Sequence, residues 1–189
     1  MTPSMTSVAA LIALGSNIGD RLAHLRGAVA AIDALHGTRV EQVSALYESA
    51  PVGGPDGQAP FLNAALSATT TLAAPELLAA LHTIEATHDR ERVVHWGPRT
   101  LDLDLLEYGN SLSDDPALLL PHPRLHERRF VLVPVCDVAP NRRHSRLGAT
   151  MEELLAALPV EPGDLTPLDG RWLGPAWQLP TTSDEYRGR

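Results

Sequence analysis

Apolar positions along the first 110 residues alternate between strand-like and helix-like spacing. Residues Val8 to Leu14 form a short apolar run that ends at Gly15, which is typical of a buried strand. Apolar positions three or four residues apart follow Asp20, and the same spacing follows Pro75, so a helix is predicted in each place. Three further strands are predicted, at Val40 to Tyr47, Phe61 to Thr71 and Leu101 to Tyr108.

The predicted order of elements is β-α-β-β-α-β. This order favours an α+β fold of the ferredoxin-like kind, with an antiparallel sheet and helices on its faces. Further along we expect a short helix near Leu125 to Val138 and a helix that starts at Thr150, where Glu153 has capping-box spacing. Residues 1–160 are predicted as a single domain, and residues 161–189, where Pro and Gly recur without a period, as an irregular C-terminal extension.

The charge balance limits the possible partners. The 189 residues carry 15 basic and 23 acidic side chains, a net charge of −8, which argues against nucleic acid and against an anionic membrane surface. No stretch approaches the ~20 apolar residues that would cross a bilayer. The single cysteine, Cys136, excludes an internal disulfide and a multi-cysteine metal site. We therefore expect a cytoplasmic protein, and a monomer that binds small molecules.

The chain contains no lysine, and all 15 of its cationic side chains are arginine. A Walker phosphate loop, a protein-kinase fold with its strand lysine, and Schiff-base catalysis each require a lysine. These three classes of mechanism are excluded.

The segment at residues 99–105 (RTLDLDL) is the most informative part of the sequence. On a strand, alternate side chains share a face, so Asp102 and Asp104 point one way and the leucines point the other. Two neighbouring carboxylates suit a magnesium ion that also contacts phosphate oxygens. A solvated strand face with incidental acids is the alternative interpretation of this motif taken alone.

Arginines concentrate around the carboxylate pair. Six of the 15 lie in the 40 residues between Arg90 and Arg129. Guanidinium groups bind phosphate oxygens in pairs, so an acidic chain that gathers them beside two carboxylates suits a polyphosphate bridged by metal. The alternative is that they pair with local acids such as Glu91, Glu107 and Glu127.

Three of the eight aromatic residues lie close to these polar motifs: Phe61, Trp96 and Phe130. Asn63 shares a strand face with Phe61, and an amide beside stacked rings suits a flat heterocycle. Phe61 and Phe130 could equally be ordinary core residues. His122 lies between two prolines and could donate to a phosphate, although a lone loop histidine is no metal site.

Five motifs together resemble the 6-hydroxymethyl-7,8-dihydropterin pyrophosphokinase family. They occur in the family's order and cover about residues 8 to 140. They are ALGSN at residues 13–17, FLNAA at 61–65, WGPRTLDLD at 96–104, PHPR at 121–124 and RRFVL at 128–132.

The resemblance implies a ferredoxin-like fold and transfer of diphosphate from ATP to the pterin hydroxymethyl group, with two magnesium ions and release of AMP. Asp102 and Asp104 would bind both metals, and Arg90 and Arg92 would close on the phosphates as catalytic residues. The implied ATP contacts are His82, Glu85, Trp96, Arg99, His122 and Arg128. The implied pterin contacts are Ser49, Ala50, Val52, Phe61, Asn63, Trp96 and Phe130.

Two other functional classes remain possible from the residues. A metal-dependent nucleotidyl- or glycosyltransferase would use the same acids and arginines but would not need the ring site. A ferredoxin-like RNA- or ligand-binding module would need exposed aromatics on the central strands and a basic face. The sequence also departs from the family, because its C-terminal extension exceeds the usual family length.

Overall fold

The structure is a computed structural model that describes residues 6–51, 57–88, 100–160, 165–168 and 172–173. The described part contains eight strands and four α-helices. The strands are β1 (Val8–Ser16), β2 (Thr38–Val43), β3 (Leu46–Ser49), β4 (Phe61–Thr70), β5 (Asp102–Tyr108), β6 (Ser113–Asp115), β7 (Leu118–Leu120) and β8 (Leu165–Leu168). The helices are α1 (Arg21–Asp33), α2 (Ala74–Thr87), α3 (Arg129–Val138) and α4 (Met151–Ala157), with a 3₁₀ turn at Leu125–Glu127.

Six strands form one antiparallel sheet. Its order is β5-β1-β4-β3-β8, and β2 pairs with β4 on the same side as β3. The prediction of an α+β fold with an antiparallel sheet is therefore confirmed. The strands β6 and β7 form a separate two-stranded hairpin, in a region for which the sequence pattern predicts no strand.

The two faces of the sheet carry two different helix pairs. Apolar side chains of α1 and α2 pack on one face, in a cluster that includes Ile12, Leu66 and Leu103. Apolar side chains of α3 and α4 pack on the other face, in a cluster that includes Leu11 and Ala65. Because side chains alternate along a strand, each central strand contributes to both clusters.

The predicted start signals of three helices agree with the structure. Asp20 caps α1, since its carboxylate accepts a hydrogen bond from Ala23 N at 3.0 Å. Pro75 lies in the first turn of α2. At α4 the capping box is complete, because Glu153 N donates to Thr150 Oγ1 at 3.1 Å and Thr150 N donates to Glu153 Oε2 at 2.7 Å.

The single strand predicted at Val40 to Tyr47 is wrong, because the chain breaks into β2 and β3 at Ser44. The Ser44 hydroxyl accepts a hydrogen bond from Ala65 N at 2.9 Å and so takes the place of a backbone partner. On the other side of the break, one carboxylate oxygen of Asp137 accepts from Ala45 N at 3.0 Å and from the Tyr47 hydroxyl at 2.8 Å. A contact from helix α3, distant in sequence, therefore fixes this irregularity.

The C-terminal extension is not irregular where the structure describes it. Leu165–Leu168 form β8 beside β3, and Trp172 is buried in the cluster beneath α1 and α2. Among the described helices, none is long and apolar enough to cross a membrane.

Candidate active site

Asp102 and Asp104 lie on β5, and both side chains point to the face opposite the leucine core. Leu101, Leu103 and Leu105 are buried, whereas the two acids between them are half-buried. Asp102 pairs with Gly15 on β1, and Asp104 pairs with Ala13. The predicted division of the strand into an apolar and an acidic face is therefore confirmed.

Glu85 of α2 holds β5 from its outer side. Its carboxylate is 2% exposed and accepts a hydrogen bond from Leu103 N at 2.8 Å. Leu103 lies between the two aspartates, so this bond fixes the strand at the point where their backbone positions are set. On the same strand, Leu106 O accepts from His122 N at 2.8 Å, which places the PHPR motif against β5.

His122 lies in the electrostatic field of the two aspartates. Burial lowers the pKa of its imidazole, and Arg128 and Arg124 act in the same direction, whereas Asp104 and Asp102 oppose it. The ring is therefore neutral near pH 7. Arg124 N donates to its Nδ1 at 3.2 Å, so the ring proton is on Nε2 and Nε2 is a hydrogen-bond donor.

Arg128 provides a positive charge next to the acids. Burial and neighbouring Arg124 lower its pKa, and the carboxylates of Asp104, Glu127 and Asp102 raise it. A guanidinium stays protonated in this setting, because it loses its proton only far above neutral pH. Its Cζ also lies 5.5 Å from the centre of the Phe130 ring, so Arg128 connects the acidic and aromatic parts of the site.

Arg124 makes a contact of the kind that the alternative interpretation of the arginines predicts. Arg124 Nε lies 3.5 Å from Glu127 Oε2, and both side chains are substantially exposed. Glu107, another candidate partner, pairs instead with Arg142 outside the group.

A row of paired residues runs across four strands from the acids to the candidate ring site. Asp102, Gly15, Asn63 and Tyr47 are register partners on β5, β1, β4 and β3. Partners in an antiparallel sheet point to the same face, so the Asn63 amide and the Asp102 carboxylate lie on one side, about 10 Å apart between Cα atoms. Gly15 has no side chain to fill the interval.

The space above Gly15 is bounded by an acid and an aromatic ring. A Cβ placed on Gly15 would lie 3.9 Å from Asp102 Cβ and 3.9 Å from Phe61 Cδ1. Phe61 begins β4, two residues before Asn63, and so shares its face. Phe130 packs at the margin of the α3–α4 cluster on this same face.

Asn63 is held by residues at the end of β3. Its Nδ2 donates to Ser49 Oγ at 2.9 Å and lies 3.5 Å from Tyr47 O and 3.4 Å from Phe61 O. Ser49 is 5% exposed, and Asn63 is 6% exposed. Two predicted pterin contacts therefore meet directly, and a third, Ala50, is exposed beside Ser49.

Two further residues organise the site, and the sequence patterns did not predict them as site residues. Ser16 is fully buried and donates to Thr100 O at 2.5 Å, which joins the end of β1 to the approach to β5. Asn17 Nδ2 lies 3.3 Å from Ala59 O, just before β4. Their position directly after Gly15, at the end of a buried strand, is the signal that could have identified them.

One predicted site residue has an exposed side chain, and five are not described. His82 is on the exposed side of α2, three residues before Glu85. The other predictions fall outside the described residues: Val52, Arg90, Arg92, Trp96 and Arg99.

The carboxylate pair suits a metal that shares its ligands with a substrate. Among the described residues, no group of three or more His, Cys, Asp or Glu side chains could bind a metal ion by itself. Magnesium is commonly bound by one or two carboxylates together with substrate phosphates and water. Asp102 and Asp104, beside the open position at Gly15, fit that kind of shared site.

Comparison with known proteins identifies relatives along most of the chain. The family model described as 7,8-dihydro-6-hydroxymethylpterin-pyrophosphokinase (HPPK) matches residues 11–140. A 2-amino-4-hydroxy-6-hydroxymethyldihydropteridine pyrophosphokinase from Synechocystis is 40% identical over 160 residues, which cover 82% of this chain and 81% of that protein. The protein of the same name from Pseudomonas aeruginosa is 44% identical over 150 residues, with 79% and 91% covered.

Solved structures of Plasmodium falciparum HPPK-DHPS share the fold. The triple mutant with SDX-DHP has a TM-score of 0.65 at 14% identity, over 82% of this chain and 45% of that one. The wild type has a TM-score of 0.62 at 15% identity, over 80% and 44%. The chain thus spans less than half of these larger proteins, and the likeness concerns the fold alone.

Proposed function

The chain belongs to the 7,8-dihydro-6-hydroxymethylpterin-pyrophosphokinase family, and from this membership we propose how its residues carry out the reaction. It is an ATP-dependent diphosphotransferase of folate biosynthesis. It transfers diphosphate from ATP to the hydroxymethyl group of 6-hydroxymethyl-7,8-dihydropterin and leaves AMP. The observation that carries the mechanism is the single sheet face shared by Asp102, Asn63 and Phe61.

Asp102 and Asp104 are the proposed ligands of two magnesium ions. Bound there, the ions would neutralise phosphate oxygens and orient the triphosphate for displacement at the β-phosphorus. The protein fixes the positions of the two carboxylates. The hydrogen bond from Leu103 N to Glu85 helps to hold β5, which carries them, in place. A fixed carboxylate spacing matters because phosphoryl-type transfer depends mainly on positioning and charge neutralisation.

His122 and Arg128 are the proposed phosphate contacts from the described residues. Neutral His122 can donate from Nε2, because Nδ1 is occupied by Arg124 N. Arg128 supplies a permanent positive charge that suits the three phosphates of ATP. We assign Arg90, Arg92, Trp96 and Arg99 to the phosphate side as well, on the family resemblance of their motifs, and Glu85 to a bracing role.

The pterin is the proposed occupant of the space between Phe61, Asn63 and Phe130. A flat heterocycle stacks on aromatic rings, and the Asn63 amide offers donor and acceptor groups in one plane. The hydroxymethyl group would then face Asp102 across Gly15. The substrate hydroxyl attacks the β-phosphorus, and the bond from that phosphorus to the α–β bridging oxygen breaks. AMP leaves with the bridging oxygen, and the hydroxyl proton is released to water.

The β5-β1-β4-β3 part of the sheet is, in our assignment, a ferredoxin-like core. Helix α1 connects β1 to the β2–β3 edge, and α2 connects β4 to β5, so each helix joins two strands with a third between them. The hairpin β6–β7 and the strand β8 are additions to this core. A monomer is the proposed state, which light scattering of the purified protein tests.

Product identification tests the proposed function. The protein is incubated with ATP, magnesium and 6-hydroxymethyl-7,8-dihydropterin, and nucleotides are separated by chromatography. We expect AMP and a pterin diphosphate in equal amounts, with neither ADP nor free diphosphate. ADP as the product, or AMP with free diphosphate formed equally well without pterin, would refute the assignment and favour another metal-dependent transferase.

A further inference from the structure

The C-terminal extension lies outside the part of the chain that matches the family model, yet it is built into the sheet. The match covers residues 11–140, whereas β8 spans Leu165–Leu168. These four residues pair antiparallel with Leu46–Ser49, so β3 has β4 on one side and β8 on the other. A strand paired on both sides has its backbone position fixed by two ladders of hydrogen bonds.

Trp172 anchors this extension beneath helix α1. Its side chain is 5% exposed and packs in the same cluster as Leu25 and Leu46. The indole Nε1 donates to Ser44 O at 2.9 Å, and the Trp172 carbonyl accepts from Arg26 Nε at 2.5 Å. Burial of an indole with its N–H satisfied is a strong attachment for a chain segment.

Trp172 and strand β8 both hold the short strand β3. Ser44 directly follows β2 and lies two residues before β3, and its carbonyl accepts the hydrogen bond from Trp172 Nε1. Strand β8 then pairs with β3 up to its last residue, where Leu165 lies opposite Ser49. The extension thus holds β3 at its beginning and along its whole length.

The far end of β3 is where the extension meets the substrate site. Ser49 Oγ accepts the 2.9 Å hydrogen bond from Asn63 Nδ2, and Tyr47 O lies 3.5 Å from the same nitrogen. In the part of the chain that the structure describes, all hydrogen bonds of the Asn63 amide run from Nδ2 to neighbouring oxygens. The position of β3 therefore sets the plane in which this amide meets a ligand.

We propose that the C-terminal extension positions the pterin-binding amide: Trp172 and β8 hold β3, β3 places Ser49, and Ser49 orients Asn63. The inference rests on the proposed role of Asn63 in pterin binding. Trp172 and Arg26 are positioning residues, since neither touches the substrate face. Asp102 and Asp104 lie on β5, separated from β3 by β1 and β4, so the extension acts on the pterin and not on ATP.

Variants of the full-length protein test this inference. Arg26→Ala removes an exposed side chain that holds the Trp172 carbonyl, and Trp172→Ala removes the buried anchor itself. In both we expect KM for the pterin to rise about threefold to tenfold, with KM for ATP near the wild-type value, because one oriented hydrogen bond is weakened. Arg26→Lys keeps a donor and should recover most of the loss.

Arg39→Ala is the matched control, because Arg39 is an exposed arginine on β2 whose side chain is 78% exposed. Hydrogen exchange at residues 46–49 supplies a second measurement, and the amides there should exchange faster in Arg26→Ala and Trp172→Ala than in the control. If Trp172→Ala does not fold, the Arg26 series gives the result alone.

The outcomes separate the inference from the function on which it rests. Unchanged KM for the pterin in Arg26→Ala, or equal rises in KM for both substrates, would overturn the positioning role. A wild-type protein that forms no AMP from ATP and pterin would instead refute the proposed function. If the wild type forms AMP and the Arg26→Ala variant raises KM for the pterin but not for ATP, the proposed function and the positioning role are both supported.

Discussion

The residues around Asp102 and Asp104 determine what this pair of carboxylates can bind. Two acids on alternate strand positions occur often on solvated sheets. Here, however, both carboxylates interact electrostatically with His122 and Arg128. Gly15 leaves the next position on the sheet open. The same two carboxylates would be ordinary surface groups if β1 carried a large side chain at this point.

Replacing either acid by its amide should abolish transfer and leave the fold intact. Asp102→Asn and Asp104→Asn keep the side-chain shape but remove a negative charge that the proposed magnesium ions would require. We expect AMP formation to fall by on the order of a hundredfold or more, as when a key electrostatic contact to a transition state is lost. Initial rates across a magnesium titration, together with thermal unfolding, provide the measurement.

Asp115→Asn on the β6–β7 hairpin is the control for this pair, because Asp115 is an exposed acid outside the site. It should keep the wild-type rate. Near-normal turnover by either site variant would contradict the assignment of the metal ligands.

Strand β1 organises the site through its last residues. Ser16 connects to Thr100 just before β5, and Asn17 connects to Ala59 just before β4, so one strand end positions both halves of the site. Because the acids and the ring site lie on different strands, their separation depends on this junction.

Ser16→Ala should destabilise the protein and slow catalysis together. The variant leaves the partly buried Thr100 carbonyl without the Ser16 donor, which costs about 1 kcal/mol of the free energy of unfolding. Urea unfolding monitored by circular dichroism measures the loss, and Ser111→Ala, at an exposed serine, serves as the comparison. Equal unfolding midpoints for the two variants would show that the Ser16 contact contributes nothing to stability.

Local sequence patterns predicted most of the elements but not their irregularities. Apolar spacing located β1, α1, α2 and β5, since each buries a regular face against the sheet. The break at Ser44 depends on Asp137, which is 92 residues away from the Ala45 amide that it binds. No pattern within a single strand carries that information.

The candidate site, like the fold, could be predicted from the sequence only where it depends on local patterns. The acids and Asn63 follow from strand alternation and from the family motifs. The bracing contact of Glu85 to Leu103, and the docking of Trp172 on Ser44, join segments 18 and 128 residues apart. Such contacts depend on how whole elements pack together, and composition predicted only an irregular extension.

A buried ion pair joins the sheet to the segment after helix α3. Glu107 on β5 is 1% exposed, and its carboxylate accepts from Arg142 Nε at 2.8 Å and from Ser145 N at 2.8 Å. Arg142 also donates to Gly109 O. The far end of the acid-bearing strand is thereby tied to the segment that leads into α4.

Arg142→Met should destabilise the whole molecule by about 3 kcal/mol, because it leaves a carboxylate buried without its counter-charge. The double variant Glu107→Met with Arg142→Met should recover part of that loss. Chemical denaturation of the two variants and the wild type measures the difference. Arg143→Met, next to it in sequence, is the control, and a loss as large in that variant would argue against the ion pair.

Lowering the pH should reduce the stability of the folded protein because of His144. Burial lowers the pKa of this imidazole in the folded protein, so below the ordinary value of about 6.5 the unfolded chain takes up a proton first. The free energy of unfolding should therefore fall as pH drops below about 6.5, until the folded-state pKa is reached.

The variant His144→Asn removes this titration. Denaturation midpoints at pH 7.5 and 5.5 should differ less in the variant than in the wild type. An equal shift in both proteins would exclude His144 as a source of the pH dependence.

Asp102 and Asp104 lie on β5, an edge strand of the described sheet. Edge strands are places where one protein chain can associate with another. An uncovered row of amides and carbonyls can act as a template for another chain, which leads to aggregation. On β5 the Leu103 amide is capped by Glu85, and the Leu106 carbonyl is capped by His122. At the opposite border, Pro167 brings a residue without an N–H into β8. We therefore expect the contacts that brace the site also to hinder edge-to-edge pairing between copies of this chain, so variants of Glu85 should aggregate more than their stability alone would predict.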